Sequence, residues 1–209
     1  MRVKYPRTFH LPWSPGVSSD DKVLKSVAPL LAREVVVSEK ADGENTTLYQ
    51  TGFHARSIDS RHHPSRDWLA RFHSTFAHEI PEGWRICGEN LFARHSIAYD
   101  ALPSYFLGFS VWDASNTCLS WDDTLEVFEL LGVTPVRVLA RGNLTEADLR
   151  ALSASLDLEK QEGFVVRPVA AFAYAEFGQR VGKFVRAGHV QTDKHWSHQA
   201  IVPNGLASL

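Results

Sequence analysis

Short apolar runs rich in β-branched and aromatic residues recur along the chain, separated by polar breaks, and this pattern predicts many short strands. Residues 34–56 hold the first group: a Val-rich run, a polar break at 41–44, a second run, Thr51-Gly52 and a third run. We therefore expect strand, loop, strand, turn, strand in this region. Further strands are predicted at Arg85–Glu89, Tyr105–Trp112, Thr134–Ala140, Glu162–Arg167 and Arg180–Val185.

Three other segments repeat apolar residues every three or four positions, which predicts helices. The first, Ser65–Glu79, is closed by Pro81. The second begins after Ser120 and the third after Thr145, and a hydroxyl residue ahead of an apolar repeat is a typical N-cap. Strands and helices mix without a regular βαβ period, so the pattern favours an α+β fold.

The first thirty residues differ from the rest because four prolines and Gly16 interrupt them. They predict an extended N-terminal arm, residues 1–30, with one short helix around Asp21–Ala28. We interpret this arm as a packing strap and not as part of the catalytic core. No repeat or interdomain linker follows, so residues 1–209 are expected to form a single domain.

The charge, apolar stretches and cysteine content of the chain limit the classes of function that it can have. The 209 residues carry 22 Lys and Arg against 24 Asp and Glu, a formal net charge of -2, so a polyanion would have to be held by a local patch. No apolar stretch approaches the roughly 18 residues of a membrane helix, and the first residues do not resemble a signal peptide, which predicts a cytoplasmic protein without membrane contact. The two cysteines, Cys87 and Cys118, are expected to be reduced structural thiols.

Candidate chemistry begins at Lys40, which ends a β-branched run and is followed by Ala41-Asp42-Gly43. At such a place a lysine ammonium is partly desolvated, and a glycine lets the backbone approach a ligand. Lys40 is therefore a candidate nucleophile, although the same spacing also describes an ordinary polar turn.

Five more short motifs follow the lysine motif in order: Phe53–Ser57, Gly88–Leu91, Phe106–Asp113, Glu162–Arg167 and Gly182–Arg186. In this order they resemble the six collinear motifs of the covalent nucleotidyltransferase superfamily, which contains ATP-dependent polynucleotide ligases and mRNA capping enzymes. The resemblance runs from Glu39 to Arg186, about seven-tenths of the chain. It implies a ligase-type nucleotidyltransferase fold, an ATP-grasp-like adenylation domain of antiparallel sheets with flanking helices.

Within the superfamily the chain is most similar to the RNA ligase 2-type branch. The stretch from Leu91 to Phe106, with Arg94-His95-Ser96-Ile97 inside it, is similar to the segment that follows the glutamate motif in many bacterial RNA ligases. DNA ligases and capping enzymes do not carry this segment. Residues 188–196 also resemble the tail that follows the last motif in bacterial members.

The resemblance implies roles for the residues that match. Lys40 would attack the α-phosphorus of ATP, and Lys183, with Arg186 as an auxiliary, would lower the pKa of that amine and balance phosphate charge. Glu162 and Glu89 would lie near Mg2+ or Mn2+. Asp42 is a weaker metal candidate, and its alternative is a turn aspartate that caps its own backbone.

Base, ribose and phosphate contacts are implied in the same way. Phe109 would stack on adenine and Glu39 would contact the base edge, while Asn45 and Arg56 would hold ribose or phosphate. Arg94 and His95 would touch RNA phosphates, although solvated loop charge explains them equally well.

The implied activity is an ATP-dependent RNA ligase that joins 3′-OH and 5′-phosphate RNA ends through lysyl-AMP and RNA-adenylate intermediates, in RNA repair. Only 23 residues follow Arg186 (209 minus 186), so no C-terminal OB domain is expected, and a partner such as an end-healing kinase or phosphatase would assist the core. The alternatives are a DNA ligase, a GTP-dependent capping guanylyltransferase, and a non-catalytic nucleotide- or RNA-binding module of the same fold. The segment at 94–97 argues against the first two.

Overall fold

The computed structural model describes residues 2–188 and 200–208, so most of the tail segment at 188–196 lies outside the described residues. The described part of the chain contains twelve strands: β1 Phe9–His10, β2 Val35–Lys40, β3 Glu44–Tyr49, β4 Gly52–Ala55, β5 Arg85–Asn90, β6 Phe106–Trp112, β7 Thr117–Cys118, β8 Thr134–Pro135, β9 Val138–Gly142, β10 Gly163–Pro168, β11 Phe172–Ala173 and β12 Gly182–Val185.

Five α-helices accompany these strands in the described residues: α1 Ala28–Leu31, α2 Asp67–Phe76, α3 Trp121–Leu131, α4 Glu146–Ser155 and α5 Phe177–Arg180. The predicted N-caps are confirmed. The Ser120 hydroxyl accepts a hydrogen bond from the backbone N–H of Asp123, and Thr145 forms a capping box with Asp148. These caps provide hydrogen-bond acceptors for backbone N–H groups in the first turns of α3 and α4, which have no partner within the helix.

Two sheets form the body of the protein. The first sheet has the order β1-β12-β10-β2-β9, and the second has the order β11-β7-β6-β5-β3-β4, with β8 added in parallel beside β6. The other neighbours are antiparallel except β1 and β12, which run parallel. The expected α+β fold of antiparallel sheets with flanking helices is confirmed.

The cores of the two sheets explain why the strands lie where the apolar runs predict them. Side chains of the arm complete the core of the first sheet, and α2 and α3 cover the second. The arm supplies Leu11, Leu24, Val27 and Leu30, each nearly or fully buried. The two cysteines are confirmed as free buried thiols.

Two local predictions are wrong. Residues 21–27 are not helical, because Val23 forms a β-bridge with His10 and the N–H of Leu24 donates to the His10 carbonyl at 2.8 Å. The predicted strand Thr134–Ala140 is divided: β8 pairs with β6 in the second sheet, and β9 pairs with β2 in the first. The chain therefore crosses from one sheet to the other at residues 136–137.

Among the described residues, no helix has both the length and the hydropathy that crossing a membrane requires.

Candidate active site

A pocket of about 700 Å³ lies between the two sheets. The first sheet contributes the ends of β2, β10 and β12, the second contributes β3, β5 and β6, and the arm contributes Lys4, Tyr5, Pro6 and Thr8. This volume is within the range of small-molecule sites in proteins. The arm is therefore a pocket wall as well as a packing strap, a role that no sequence motif predicts.

Lys40 and Glu162 meet in this pocket because their strands are paired. Lys40 ends β2 and lies opposite Gly163 at the start of β10, so the preceding residue, Glu162, is brought to the same edge. The Lys40 Nζ donates to Glu162 Oε2 at 2.6 Å. The Glu162 carboxylate is almost fully buried, whereas a quarter of the Lys40 side chain is exposed.

The electrostatics of Lys40 differ from the expectation of a lowered pKa. Burial alone lowers the pKa of this amine, but the negative charges of Glu162, Glu89 and Asp42 outweigh burial and raise the pKa above its ordinary value. In the ligand-free protein Lys40 is therefore an ammonium ion. The expectation was wrong for this state because three carboxylates, rather than a second cation, dominate its surroundings.

Glu89 lies across the pocket from this pair, on β5 opposite Asn45 of β3. Burial, together with the charges of Glu162 and Asp42, outweighs the opposing charge of Lys40 and raises the pKa of Glu89 to about 8. At neutral pH the Glu89 carboxyl is accordingly mostly protonated when no cation or substrate is bound.

The raised pKa of Glu89 leads to a pH-dependent stability. The native state holds a proton that the unfolded chain releases near pH 4.5, so this carboxyl makes the free energy of unfolding fall as the pH rises from about 4.5 to about 8. Glu89→Gln should therefore lose less stability than the wild type over this window, by at most about 1.4 kcal/mol per pH unit. Urea unfolding at several pH values in EDTA measures the difference. Glu129→Gln, at an exposed position on α3, is the control, and parallel wild-type and Glu89→Gln curves would contradict the prediction.

Lys183 lies on β12 opposite Val165 of β10 and lines the same pocket. The pKa of Lys183 is lowered below its ordinary value, mainly by burial and also by the positive charges of Lys40 and Arg56. The negative charges of Asp21 and Glu162 oppose this shift. The structure thus brings together the three residues that the sequence predicted as catalytic: Lys40, Glu162 and Lys183.

Asp42 faces a different part of the molecule. Its Oδ2 accepts hydrogen bonds from Ser96 N at 2.8 Å, Ser96 Oγ at 2.7 Å and Ile97 N at 2.8 Å. Arg186 donates to the same Ser96 hydroxyl at 3.2 Å. Asp42 therefore ties the segment at 94–97 to the lysine motif, and its predicted role as a metal ligand stays a prediction.

The segment around Ser96 is itself held by the C-terminal residues. Tyr99 accepts a hydrogen bond from Asp42 N through its hydroxyl at 2.9 Å, and its own N–H donates to Asn204 Oδ1 at 3.0 Å. The buried Asn204 amide also donates to the Leu91 carbonyl at 2.8 Å. Residues near 204 thereby fix the loop that orients Asp42.

The apolar end of the pocket is built around Phe109. Tyr5 of the arm packs edge-on against Phe109 and against Phe177, with ring centroids 5.3 Å apart in both pairs. The buried Arg167 guanidinium donates to the carbonyl of Leu119 at 2.6 Å and lies over the ring of Phe172. In residues 2–188 and 200–208 no carboxylate forms an ion pair with Arg167.

The other predicted ligand contacts reach the pocket by different routes. Glu39 lines the pocket and lies 3.7 Å from Arg137 Nε. Asn45 also lines it, and its buried Oδ1 accepts no hydrogen bond from the described residues. Arg56 is exposed at the rim. The three positions are suited to a ligand, and their roles remain predictions.

Arg94 and His95 do not line the pocket. Arg94 is exposed, and its backbone N–H donates to the Val202 carbonyl at 2.8 Å. Their predicted contact with RNA would therefore be made on the outer surface.

Sequence reasoning missed several pocket residues. Tyr5 lines the pocket from the arm, where no motif marks it, and Arg66 reaches the pocket by pairing with Glu44. Asp21, also in the arm, lies behind the pocket lining, 3.8 Å from Lys183. Arg167 ends one of the quoted motifs, which was a usable signal. The arm residues carry no such sequence signal, because they contact strands more than a hundred positions away in the chain.

The part of the sequence that encloses this site matches a known protein family. Residues 33–185 match the model of the family described as RNA ligase. The chain belongs to the RNA ligase family. A search of curated protein sequences found no match.

Solved structures with the same fold share little sequence identity with this chain. An archaeal ATP-dependent RNA ligase superposes with a TM-score of 0.59 at 15% identity, covering 88% of this chain and 48% of that chain. A variant of the Naegleria gruberi RNA ligase determined with ATP and Mn gives 0.58 at 15% identity, with 94% and 64% covered. An Aquifex aeolicus protein assigned as an ATP-dependent DNA ligase gives 0.55 at 18%, with 88% and 50% covered. This family member thus spans about half to two-thirds of those chains.

Proposed function

We propose that this RNA ligase family member is an ATP-dependent RNA ligase whose Lys40 carries AMP. The observation that supports the proposal best is the Lys40–Glu162 pair at 2.6 Å, inside a pocket that also holds Lys183 and an aromatic wall. Such a pocket offers a nucleophile, a proton acceptor, a second cation and a base-binding surface in one place.

In the first proposed step, the Lys40 amine attacks the α-phosphorus of ATP. A nitrogen–phosphorus bond forms, the bond from the α-phosphorus to the bridging oxygen breaks, and pyrophosphate leaves. The amine must first lose a proton, and the Glu162 carboxylate at 2.6 Å is placed to accept it. Lys183 balances the charge of the phosphate oxygens as the leaving group departs.

Adenine is proposed to bind against Phe109, at the end of the pocket that Tyr5 and Val165 also line. A flat apolar surface with polar groups at its edge is what a purine requires. Glu39 and Asn45 would supply the polar contacts, and Arg56 at the rim would meet phosphate oxygens through its forked guanidinium.

The donor set fits a divalent cation that also binds substrate phosphates. No group of three ligating side chains occurs in the described ranges, but Mg2+ is commonly held by one or two carboxylates together with phosphate oxygens and water. Glu89 and Glu162 are the two carboxylates that we propose for it, with Mn2+ as a substitute. The cation would neutralise phosphate charge. The Naegleria structure determined with ATP and Mn is consistent with this choice.

The later steps are proposed to transfer AMP from Lys40 to an RNA 5′-phosphate and then to join that end to a 3′-hydroxyl with release of AMP. Each step exchanges one phosphorus–ligand bond for another, so no further reactant is needed. Arg94 and His95 would contact RNA phosphates outside the pocket. RNA repair in the cytoplasm, with an end-healing kinase or phosphatase as a partner, is the cellular role we propose.

Labelling tests the proposal directly. Protein stripped of AMP by pyrophosphate is incubated with α-labelled ATP or α-labelled GTP and Mg2+ or Mn2+, and denaturing electrophoresis follows. We expect a covalent band with ATP alone, and sealing of a nicked RNA duplex by the labelled protein. Labelling by GTP would indicate a capping-type enzyme, and sealing only at a DNA 3′-hydroxyl would indicate a DNA ligase. Reversible binding without a band would indicate a binding module.

A further inference from the structure

The N-terminal arm places a carboxylate beside the second lysine of the pocket. Asp21 Oδ1 lies 3.8 Å from Lys183 Nζ, and only about a sixth of each side chain is exposed. Asp21 belongs to none of the six motifs, and it lies in the N-terminal arm, which the sequence predicts to be a packing strap. Its position next to a proposed catalytic cation gives that segment a second role.

The backbone pairing of the arm explains why Asp21 is there. β1 runs parallel to β12, so that His10 is in register with Lys183. The fully buried His10 places its Nε2 3.2 Å from Asp21 Oδ2. On its other side His10 Nδ1 lies 2.8 Å from Ser14 Oγ, which accepts the N–H of Val185 at 2.9 Å. β12 therefore anchors both the lysine and the histidine that holds the carboxylate.

A turn fixes the remaining side of Asp21. Ser18 donates to Asp21 Oδ2 through its hydroxyl at 2.7 Å and through its N–H at 3.2 Å. Burial opposes ionisation, but these hydrogen bonds and the charges of Lys183 and His10 lower the pKa of Asp21 to about 2. The carboxylate is consequently charged at any pH at which the protein would work.

Lys183 needs such a partner for a physical reason. Its ammonium is half-buried, and Lys40 and Arg56 repel it electrostatically. Its four-carbon stem has many rotamers, and an unpaired buried ammonium tends to lose its proton. A carboxylate held by its own hydrogen bonds limits both rotation and deprotonation.

We propose that Asp21, oriented by His10 and Ser18, is the positioning residue that holds Lys183 toward the α-phosphate of ATP. The inference rests on the proposed function, since it assigns a task to Lys183 in lysine adenylylation. The arm thus contributes to the chemistry through a residue that does not itself touch the substrate.

The test compares single-turnover labelling by Asp21→Asn with the wild type across ATP concentrations. Loss of one charged, largely buried contact should lower the labelling rate at saturating ATP by roughly tenfold or more, with less than about a threefold change in the half-saturating ATP concentration. Asp122→Asn is the matched control, because it makes the same change on a carboxylate that is 57% exposed, pairs with Arg141 and does not line the pocket. Its rate should equal that of the wild type.

Asp21→Glu keeps the charge and should recover part of the lost rate, which loss of packing alone would not explain. Thermal unfolding gives the folded fraction by which every rate is corrected, and Asp21→Glu carries the test if the asparagine variant does not fold. A wild-type rate in Asp21→Asn, an effect confined to the half-saturating concentration, or an equal loss in Asp122→Asn would each overturn the inference. Absence of labelling in the wild type would instead overturn the proposed function.

Discussion

Replacing Lys40 by alanine is expected to abolish the covalent adduct with α-labelled ATP. The nucleophile would be removed while Glu89, Glu162 and Lys183 still line the pocket. The expected loss of labelling is at least about a thousandfold, the scale on which removal of a covalent nucleophile acts. Denaturing electrophoresis measures it, because only a covalent bond survives the gel.

Two controls separate chemistry from charge. Lys160→Ala removes a lysine that is 83% exposed and pairs with nearby Asp157, so it should label like the wild type. Lys40→Arg keeps a cation beside Glu162 but offers a guanidinium that does not lose its proton, so it should be as inactive as the alanine variant. Persistent labelling in Lys40→Ala would place the nucleophile elsewhere, and mass spectrometry of the labelled peptide would show whether Lys183 carries the AMP.

Replacing Gly163 by alanine is expected to have the largest effect on stability. Gly163 starts β10 with φ of 155°, directly after Glu162 and opposite Lys40, and an added Cβ would lie 1.9 Å from the Phe184 carbonyl oxygen. Both the backbone angle and the contact therefore oppose a side chain. We expect the free energy of unfolding to fall by about 3 kcal/mol or more, measured by urea denaturation.

Gly142→Ala provides the matched control for this prediction. Gly142 has φ of 149°, but no atom lies within 4 Å of an added Cβ. It therefore carries the backbone cost alone, about 1 kcal/mol. The difference between the two variants isolates the clash of β10 with β12, and equal losses would show that the two strands separate at little cost. Labelling by Gly163→Ala should also fall, because the Lys40–Glu162 pair depends on this approach.

The strands, helices and N-caps were predictable because each depends on local spacing. The run that became β2 begins with three valines and ends at Lys40, and α3 and α4 begin after the hydroxyl residues that cap them. The order of the motifs could also be read from the sequence. The register in which their strands pair could not be predicted, because the pairing of Lys40 with Gly163 joins residues far apart in sequence.

The fold class, the family and the motif residues that line the pocket could thus be predicted from the amino-acid sequence. The surroundings of those residues could not: three carboxylates raise the pKa of Lys40, Ser96 donates a hydrogen bond to Asp42, and the arm brings Asp21 to Lys183. Local patterns encode periodicity and capping, which act over a few residues. The charge and partners of a buried group depend on distant segments that meet only when the two sheets pack, so no local pattern specifies them.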